Sequence, residues 1–154
     1  MKDSDITIVH QEEDRTIYGL WMKSSDRRIA RDIPELSKKY SLITGRPGQV
    51  PFFVVTKGYN PGDGSFQLFI GGQDAAPKLE VALLPGGDYG ITTVRPLLGF
   101  LWGAAIGRAK QYFYTRWLPA SGYSSHNMEF EFHSSKSLGS HPSVDLYFHI
   151  GPKQ

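Results

Sequence analysis

The fold class is decided by residues 50–70, which read VPFFVVTKGYNPGDGSFQLFI. Two apolar runs rich in β-branched and aromatic residues, 50–56 and 65–70, flank the loop Asn60-Pro61-Gly62-Asp63-Gly64. Glycine, proline, asparagine and aspartate favour tight turns, because they adopt special backbone angles or hydrogen-bond to their own backbone. The segment therefore predicts two strands joined as an antiparallel hairpin.

A helix is predicted directly before this hairpin. Apolar residues recur there at steps of three and four, at Ile29, Ile33, Leu36 and Tyr40. This spacing is typical of the buried face of an amphipathic helix. Asp26 can cap the start of the helix, and Gly45 and Pro47 are signals for its end. Pro34 lies inside the apolar stripe, so either the helix bends there or its regular part begins there.

The rest of the chain repeats this order of elements. Further strands are predicted over residues 6–9, 18–23, 79–84, 89–94, 128–133 and 144–150. A second helix is predicted over 97–117, where alanines, leucines and aromatic residues have helical spacing. The two halves also share short similar stretches of sequence, since Ile17-Tyr18-Gly19 resembles Asp88-Tyr89-Gly90.

We therefore predict a single α+β domain over residues 1–154. It would contain about eight antiparallel strands and two long helices, as two strand-helix-strand-strand units. The two halves would cover about residues 6–72 and 79–150. A pseudo-twofold arrangement of the halves leaves a central cleft, and seams of this kind are common places for ligand pockets.

Composition excludes several classes of function. The chain has no cysteine, which rules out a disulfide framework, a thiol nucleophile and a cysteine-ligated zinc. The formal net charge is only +2, with basic residues spread along the chain, so we expect no nucleic-acid partner. No segment has the roughly 20 apolar residues of a membrane span, and no signal peptide is evident at the N-terminus. A cytoplasmic protein without membrane partners is the expectation.

Three tracts resemble the pattern of GyrI-like domains, the family of AraC-type effector-binding and multidrug-binding domains. They read LPGGDYG at residues 84–90, WLPASGY at residues 117–123 and EFEF at residues 129–132. The closing VDLYFHI at residues 144–150 also fits, so the resemblance covers about residues 6–150. It leaves no room for a DNA-binding helix-turn-helix domain. It implies a duplicated fold that binds hydrophobic, often cationic and aromatic compounds.

The resemblance also implies a carboxylate in the binding cleft, and the matching glutamate is Glu131. An ionised carboxylate in a mostly apolar pocket is costly unless a cation compensates it, so such a pocket selects cationic ligands. Aromatic walls add roughly 0.5 to 2 kcal/mol for each cation–π contact. The candidate walls are Tyr89, Trp102, Tyr147, Phe52 and Trp117. Two positions depart from the family pattern, His133 and Ser37, where aromatic residues are usual.

A plainer interpretation of these residues stays open. Strand alternation places Met128, Phe130 and Phe132 on one face and leaves Glu129, Glu131 and His133 on the other, as in a sheet with one solvated face. The aromatic residues can equally be core packing. The histidines of the second half lack the close helical spacing of a metal site, so we expect no metal, and we expect no cofactor.

The sequence favours a stand-alone protein that sequesters or senses hydrophobic, cationic aromatic compounds. Two other functions stay open. One is a hydrolase of electrophilic small molecules, in which a pocket glutamate acts as general base on water. The other is an inhibitor that docks onto a protein partner, as the gyrase-inhibiting relatives imply, and it would need an exposed surface patch.

Overall fold

The structure is a computed structural model that describes residues 6–46, 48–98 and 101–153. Within these residues the strands are β1 (Thr7–Gln11), β2 (Arg15–Ser25), β3 (Phe52–Asn60), β4 (Ser65–Gly72), β5 (Glu80–Leu84), β6 (Gly87–Val94), β7 (Tyr123–His133) and β8 (Val144–Pro152). The helices are α1 (Ile29–Thr44), α2 (Trp102–Tyr112) and the short α3 (Leu118–Ala120). A π-helical turn (Phe113–Trp117) joins α2 to α3. A short 3-10 turn (Ser135–Ser137) follows β7.

All strands pair antiparallel in one sheet, in the order β1-β6-β8-β7-β3-β4-β2-β5. The order is symmetric about its centre: counted inwards from the two edges, β1 corresponds to β5, β6 to β2, β8 to β4 and β7 to β3. The matching puts the central seam between β3 and β7, one from each predicted half. The predicted α+β fold is confirmed, whereas a duplication in the origin of the two halves stays a prediction.

The sheet curls so that its two edges approach each other. Gln11, at the end of β1, donates from Nε2 to the carbonyl oxygens of Leu84 and Pro85 at 3.1 and 3.2 Å. The Gly86 amide donates to Asp14 Oδ1 at 2.7 Å. These hydrogen bonds join the β1–β2 connection to the β5–β6 connection. At both connections the chain crosses from one edge of the sheet to the strand next to the other edge.

The first helix follows the predicted stripe but starts differently. It runs from Ile29 through Pro34 without interruption and ends at Thr44, where Gly45, with a φ of 69°, caps the C-terminus as predicted. The prediction that Asp26 caps this helix is wrong, because Arg28 stands at the N-cap. Asp26 instead accepts a hydrogen bond from the Tyr59 hydroxyl at 2.6 Å. Pro47 lies outside the described residues.

The second helix is shorter than predicted. It begins at Trp102 instead of residue 97, because Leu97 and Leu101 pair as an isolated bridge ahead of it. Residues 99 and 100 lie outside the described residues. The π-helical turn places Phe113 against β8, where its ring stacks on Phe148 with centroids 3.9 Å apart. This contact anchors the second helical segment to the sheet.

Apolar residues form three clusters on the two faces of the sheet. The helix face, which α1 and α2 cover, carries one cluster around Leu36, Leu68 and Ile70 and a second around Phe113 and Phe148. The opposite face carries a third cluster, whose described members all lie on strands. None of the helices in the described residues combines the length and the apolar character of a membrane-spanning segment.

Candidate functional site

A cavity of about 680 Å³ opens on the helix face, above the seam between β3 and β7. Its walls come from the start of α1, the second half of α2 with the π-helical turn, the two seam strands and β4. The residues that carry its chemistry are Asp26, Thr56, Tyr59, Phe66, Lys110, Tyr114 and Glu129. The cavity lies between the apolar cluster that attaches α1 to the sheet and the cluster that attaches α2. We call it the seam cavity.

Strand register determines which β7 side chains face this cavity. Glu129 pairs with Thr56 of β3 and Phe148 of β8, and Phe148 belongs to the apolar cluster under α2. Glu129 therefore faces the helices, and the alternation of a strand turns Phe130 to the opposite face. Between Ser125 and Glu129 the pairing of β7 with β8 shifts register.

The Glu129 carboxylate has a donor on each oxygen. Lys110 Nζ lies 2.8 Å from Glu129 Oε2. The Tyr114 hydroxyl donates to Glu129 Oε1 at 2.7 Å. The Lys110 and Glu129 side chains are 25% and 16% exposed, so the ion pair is only partly screened by solvent. Lys110 and Tyr114 are four residues apart and lie on the same side of the helical segment.

The protonation of these donors follows from their surroundings. Burial lowers the pKa of Lys110, but attraction to Glu129 and Glu131 and the hydrogen bond to Glu129 outweigh it, so this pKa lies above its ordinary value. Burial and the nearby charge of Glu129 raise the pKa of Tyr114. At neutral pH Lys110 is therefore charged, and Tyr114 keeps the proton that it donates.

Glu131 faces the same side of the sheet as Glu129 but has a different environment. It pairs with Val54 of β3, is 9% exposed, and its Oε1 lies 3.1 Å from His133 Nε2. Among the described residues, Glu131 is not one of those that line the seam cavity. His133 lines another, smaller cavity of about 260 Å³. Glu131 thus lies on β7 between the residues that line the two cavities.

The predicted aromatic walls are distributed over four places. Phe52 lines the smaller cavity, with its ring centroid 5.8 Å from that of His133. Tyr89 and Tyr147 pack together on the opposite face, with centroids 5.9 Å apart. Trp117 stacks on Phe113 at 5.3 Å, and the half-buried Trp102 begins α2. The structure does not gather these residues in one cavity, and their roles as ligand walls stay predictions.

Sequence reasoning missed most of the residues that line the seam cavity. Lys110 and Tyr114 did carry a signal, because a lysine and a tyrosine four residues apart fall on one helix face. Tyr59 and Phe66 lie on either side of the predicted hairpin loop, and their rings stack with centroids 6.3 Å apart. The contact between these two rings could have been inferred from cross-strand pairing in that hairpin.

Comparisons with known proteins give the fold a context. No protein family and no curated protein sequence matches this chain. Among solved structures, SAV2435 bound to tetraphenylphosphonium is similar with a TM-score of 0.69 and 10% identity, over 96% of this chain and 94% of that one. An integron cassette protein from the mobile metagenome of Vibrio cholerae has a TM-score of 0.68 and 11% identity, over 95% of each chain.

The C-terminal domain of EcmrR is also similar, with a TM-score of 0.58 and 11% identity, over 96% of this chain and 99% of that domain. These identities are low, so the likeness shows a shared fold. The fold of this chain is consistent with that of the GyrI-like effector-binding domains.

Proposed function

We propose that this protein binds small hydrophobic compounds that carry a cationic, aromatic group, and that the seam cavity is the binding site. The observation that carries the proposal is Glu129, a carboxylate on the wall of a cavity that also presents three aromatic side chains, Tyr59, Phe66 and Tyr114. Binding would sequester the compound or signal its presence to a partner.

The size and walls of the cavity fit such a ligand. Small-molecule pockets commonly measure about 300 to 1,000 Å³, and the seam cavity has about 680 Å³. Tyr59, Phe66 and Tyr114 offer ring surfaces to a flat or multi-ring compound. The partly buried charge of Glu129 favours a cation over an anion of the same shape, since a low-dielectric environment strengthens the attraction.

A protein of the same fold supports the choice of ligand class. SAV2435 was solved with tetraphenylphosphonium, a cation surrounded by four phenyl rings. The identity between the two chains is 10%, so the fold is what they share, and the ligand class is carried over as part of this proposal.

The contacts of Glu129 favour binding over hydrolysis. A general base must be free to accept a proton from water in a substrate complex. Both Glu129 oxygens already accept from Lys110 and Tyr114, at 2.8 and 2.7 Å. A carboxylate held in this way is suited to a fixed negative charge.

The test is calorimetric titration with two probes of equal shape and opposite charge, tetraphenylphosphonium and tetraphenylborate. The wild-type protein is expected to bind the phosphonium with a micromolar dissociation constant and to prefer it to the borate. Glu129→Gln is expected to weaken phosphonium binding about tenfold or more, which corresponds to about 1.4 kcal/mol. Glu131→Gln is the matched control, because it removes the same charge from the next position of β7 that faces the helices.

Two results would overturn the proposal. One is the absence of phosphonium binding by the wild-type protein. The other is equal binding by the wild-type protein and Glu129→Gln, which would remove the carboxylate from the account and favour a protein-docking function.

A further inference from the structure

The proposed function leaves one feature of the seam cavity unexplained. A cavity that selects cations needs a carboxylate with an accessible oxygen, yet the protein's own ammonium group lies 2.8 Å from Glu129 Oε2. The Tyr114 hydroxyl takes the other oxygen at 2.7 Å. A ligand cation that approaches Glu129 Oε2 therefore meets the Lys110 ammonium, which repels it.

We propose that Lys110 is a built-in competitor of the ligand: it occupies the cation position on Glu129, and a cationic ligand binds by displacing it. Lys110 thereby sets both the affinity and the charge selectivity of the cavity. The inference rests on the proposed function and names the residue that regulates that site.

The two donors differ in their ability to move. Lysine has a flexible four-carbon stem and a single compact charge, so its ammonium can turn towards solvent while the stem stays packed. The Lys110 side chain is already 25% exposed. Tyr114 has a rigid ring that packs edge-on against Phe113 and Phe148, with centroids 5.0 and 5.6 Å away. Tyr114 therefore fixes the orientation of Glu129, and Lys110 is the donor that can leave.

Competition of this kind determines which cations bind. The ligand exchanges one ion pair for another, so the charge interaction with Glu129 contributes only the difference between the two pairs. The net gain must then come from contacts that lysine does not make, mainly those of rings with Tyr59 and Phe66. Small cations without rings are therefore excluded, and cations with a large aromatic surface are retained.

A second lysine provides the matched control. Lys57 pairs with Met128, a member of the cluster on the opposite face of the sheet, and its Nζ lies 4.9 Å from the centroid of the Trp21 ring there. Lys110→Met and Lys57→Met each remove one positive charge, the first from the helix face and the second from the opposite face. They differ in whether the charge that is removed is the one paired with the carboxylate.

The experiment measures tetraphenylphosphonium and tetraphenylborate affinities for the wild-type protein, Lys110→Met, Lys57→Met and Glu129→Gln. Lys110→Met is expected to lower the phosphonium dissociation constant about tenfold, whereas Lys57→Met changes it by less than about twofold. Glu129→Gln leaves the Lys110 ammonium without its partner and is expected to strengthen borate binding. Thermal unfolding of each variant checks that it folds, and Lys110→Gln replaces Lys110→Met if the latter does not.

The outcomes separate this inference from the proposed function. If Lys110→Met binds the phosphonium no better than Lys57→Met does, Lys110 is no competitor and the inference is wrong. Weaker phosphonium binding by Lys110→Met contradicts it too, as does a failure of both Lys110 variants to fold, which would make the ammonium a structural group. The proposed function is judged independently, from the difference between the wild-type protein and Glu129→Gln.

Discussion

The two faces of β7 differ in how completely they are packed. On the opposite face, Phe130 is 2% exposed and stacks on Tyr147 with ring centroids 4.5 Å apart. On the helix face, Glu129 and Glu131 lie under the gap between α1 and α2, and a cavity of about 680 Å³ remains above Glu129. One strand thus contributes both to a buried core cluster and to the candidate binding site.

The difference arises from how each face is covered. The curled sheet buries the opposite face with its own strands, and one continuous cluster forms there. The helix face depends on two separate helices, each attached through its own apolar cluster. Between the two clusters Thr56 and Glu129 pair across the seam, so polar side chains and open space remain there. The candidate site thus lies where two packing units meet.

The largest expected effect comes from breaking the packed face. Phe130→Ala removes a buried ring that contacts Tyr147 and Tyr89, and we expect it to lower the free energy of unfolding by about 3 to 5 kcal/mol. Urea unfolding followed by circular dichroism measures this change. A loss below about 1 kcal/mol would contradict the assignment of this face as the main core.

The ion pair of the helix face should contribute less to stability. A double-mutant cycle of Lys110→Met and Glu129→Gln is expected to give an interaction free energy of about 1 to 2 kcal/mol, between the values for exposed and fully buried pairs. Urea unfolding of the two single variants and the double variant supplies the cycle. An interaction free energy near zero would mean that the two groups do not pair in solution.

The two glutamates of the helix face should differ in their effect on ligand binding. Glu131 is held by His133 and, among the described residues, does not line the seam cavity, so we expect it to act on a ligand in the proposed site only through its charge. Glu131→Gln is expected to change the tetraphenylphosphonium dissociation constant by about threefold or less. Calorimetric titration of Glu131→Gln and Glu129→Gln compares the two effects. The expectation is wrong if Glu131→Gln weakens tetraphenylphosphonium binding more than Glu129→Gln does.

The smallest expected effect is a pH dependence from the opposite face. Burial and the charge of His126 lower the pKa of His149 below its ordinary 6.5, so protonation of His149 favours the unfolded chain. This contribution to stability is present above about pH 6.5 and is lost as the pH falls below it. Thermal unfolding at pH 7.5 and 5.5 should therefore show a smaller acid loss for His149→Gln than for the wild-type protein.

His10 provides a control of opposite sign. Its hydrogen bond to Asp88 raises its pKa, so its contribution is present at acid pH and is lost as the pH rises. His10→Gln should then show a greater acid loss than the wild-type protein. Equal pH dependence of both variants would contradict these assignments.

Much of the fold could be predicted from the sequence because its signals are local. Hairpin chemistry at residues 60–64, the apolar stripe of α1 and the alternation along β7 each depend on neighbouring residues in the chain. The ends of the second helix were less predictable, since the bridge between Leu97 and Leu101 and the π-helical turn (Phe113–Trp117) depend on tertiary contacts.

The candidate site was harder to predict for the same reason. Alternation places Glu129 and Glu131 on the same face and does not distinguish them. Which of the two glutamates lines the seam cavity depends on which one lies under α2. Lys110 reaches Glu129 only because α2 packs across β7 at this level. No pattern along the chain contains this information.

An NMR titration of the ¹⁵N-labelled protein with tetraphenylphosphonium tests directly whether ligands bind on the helix face at the seam. We predict that amide shifts concentrate at residues lining the seam cavity, among them Thr56, Tyr59, Lys110, Asn127 and Glu129. Shifts concentrated instead around Tyr89, Tyr147 and Ile91, with the seam residues unchanged, would place the ligand on the opposite face and rule out binding in the seam cavity.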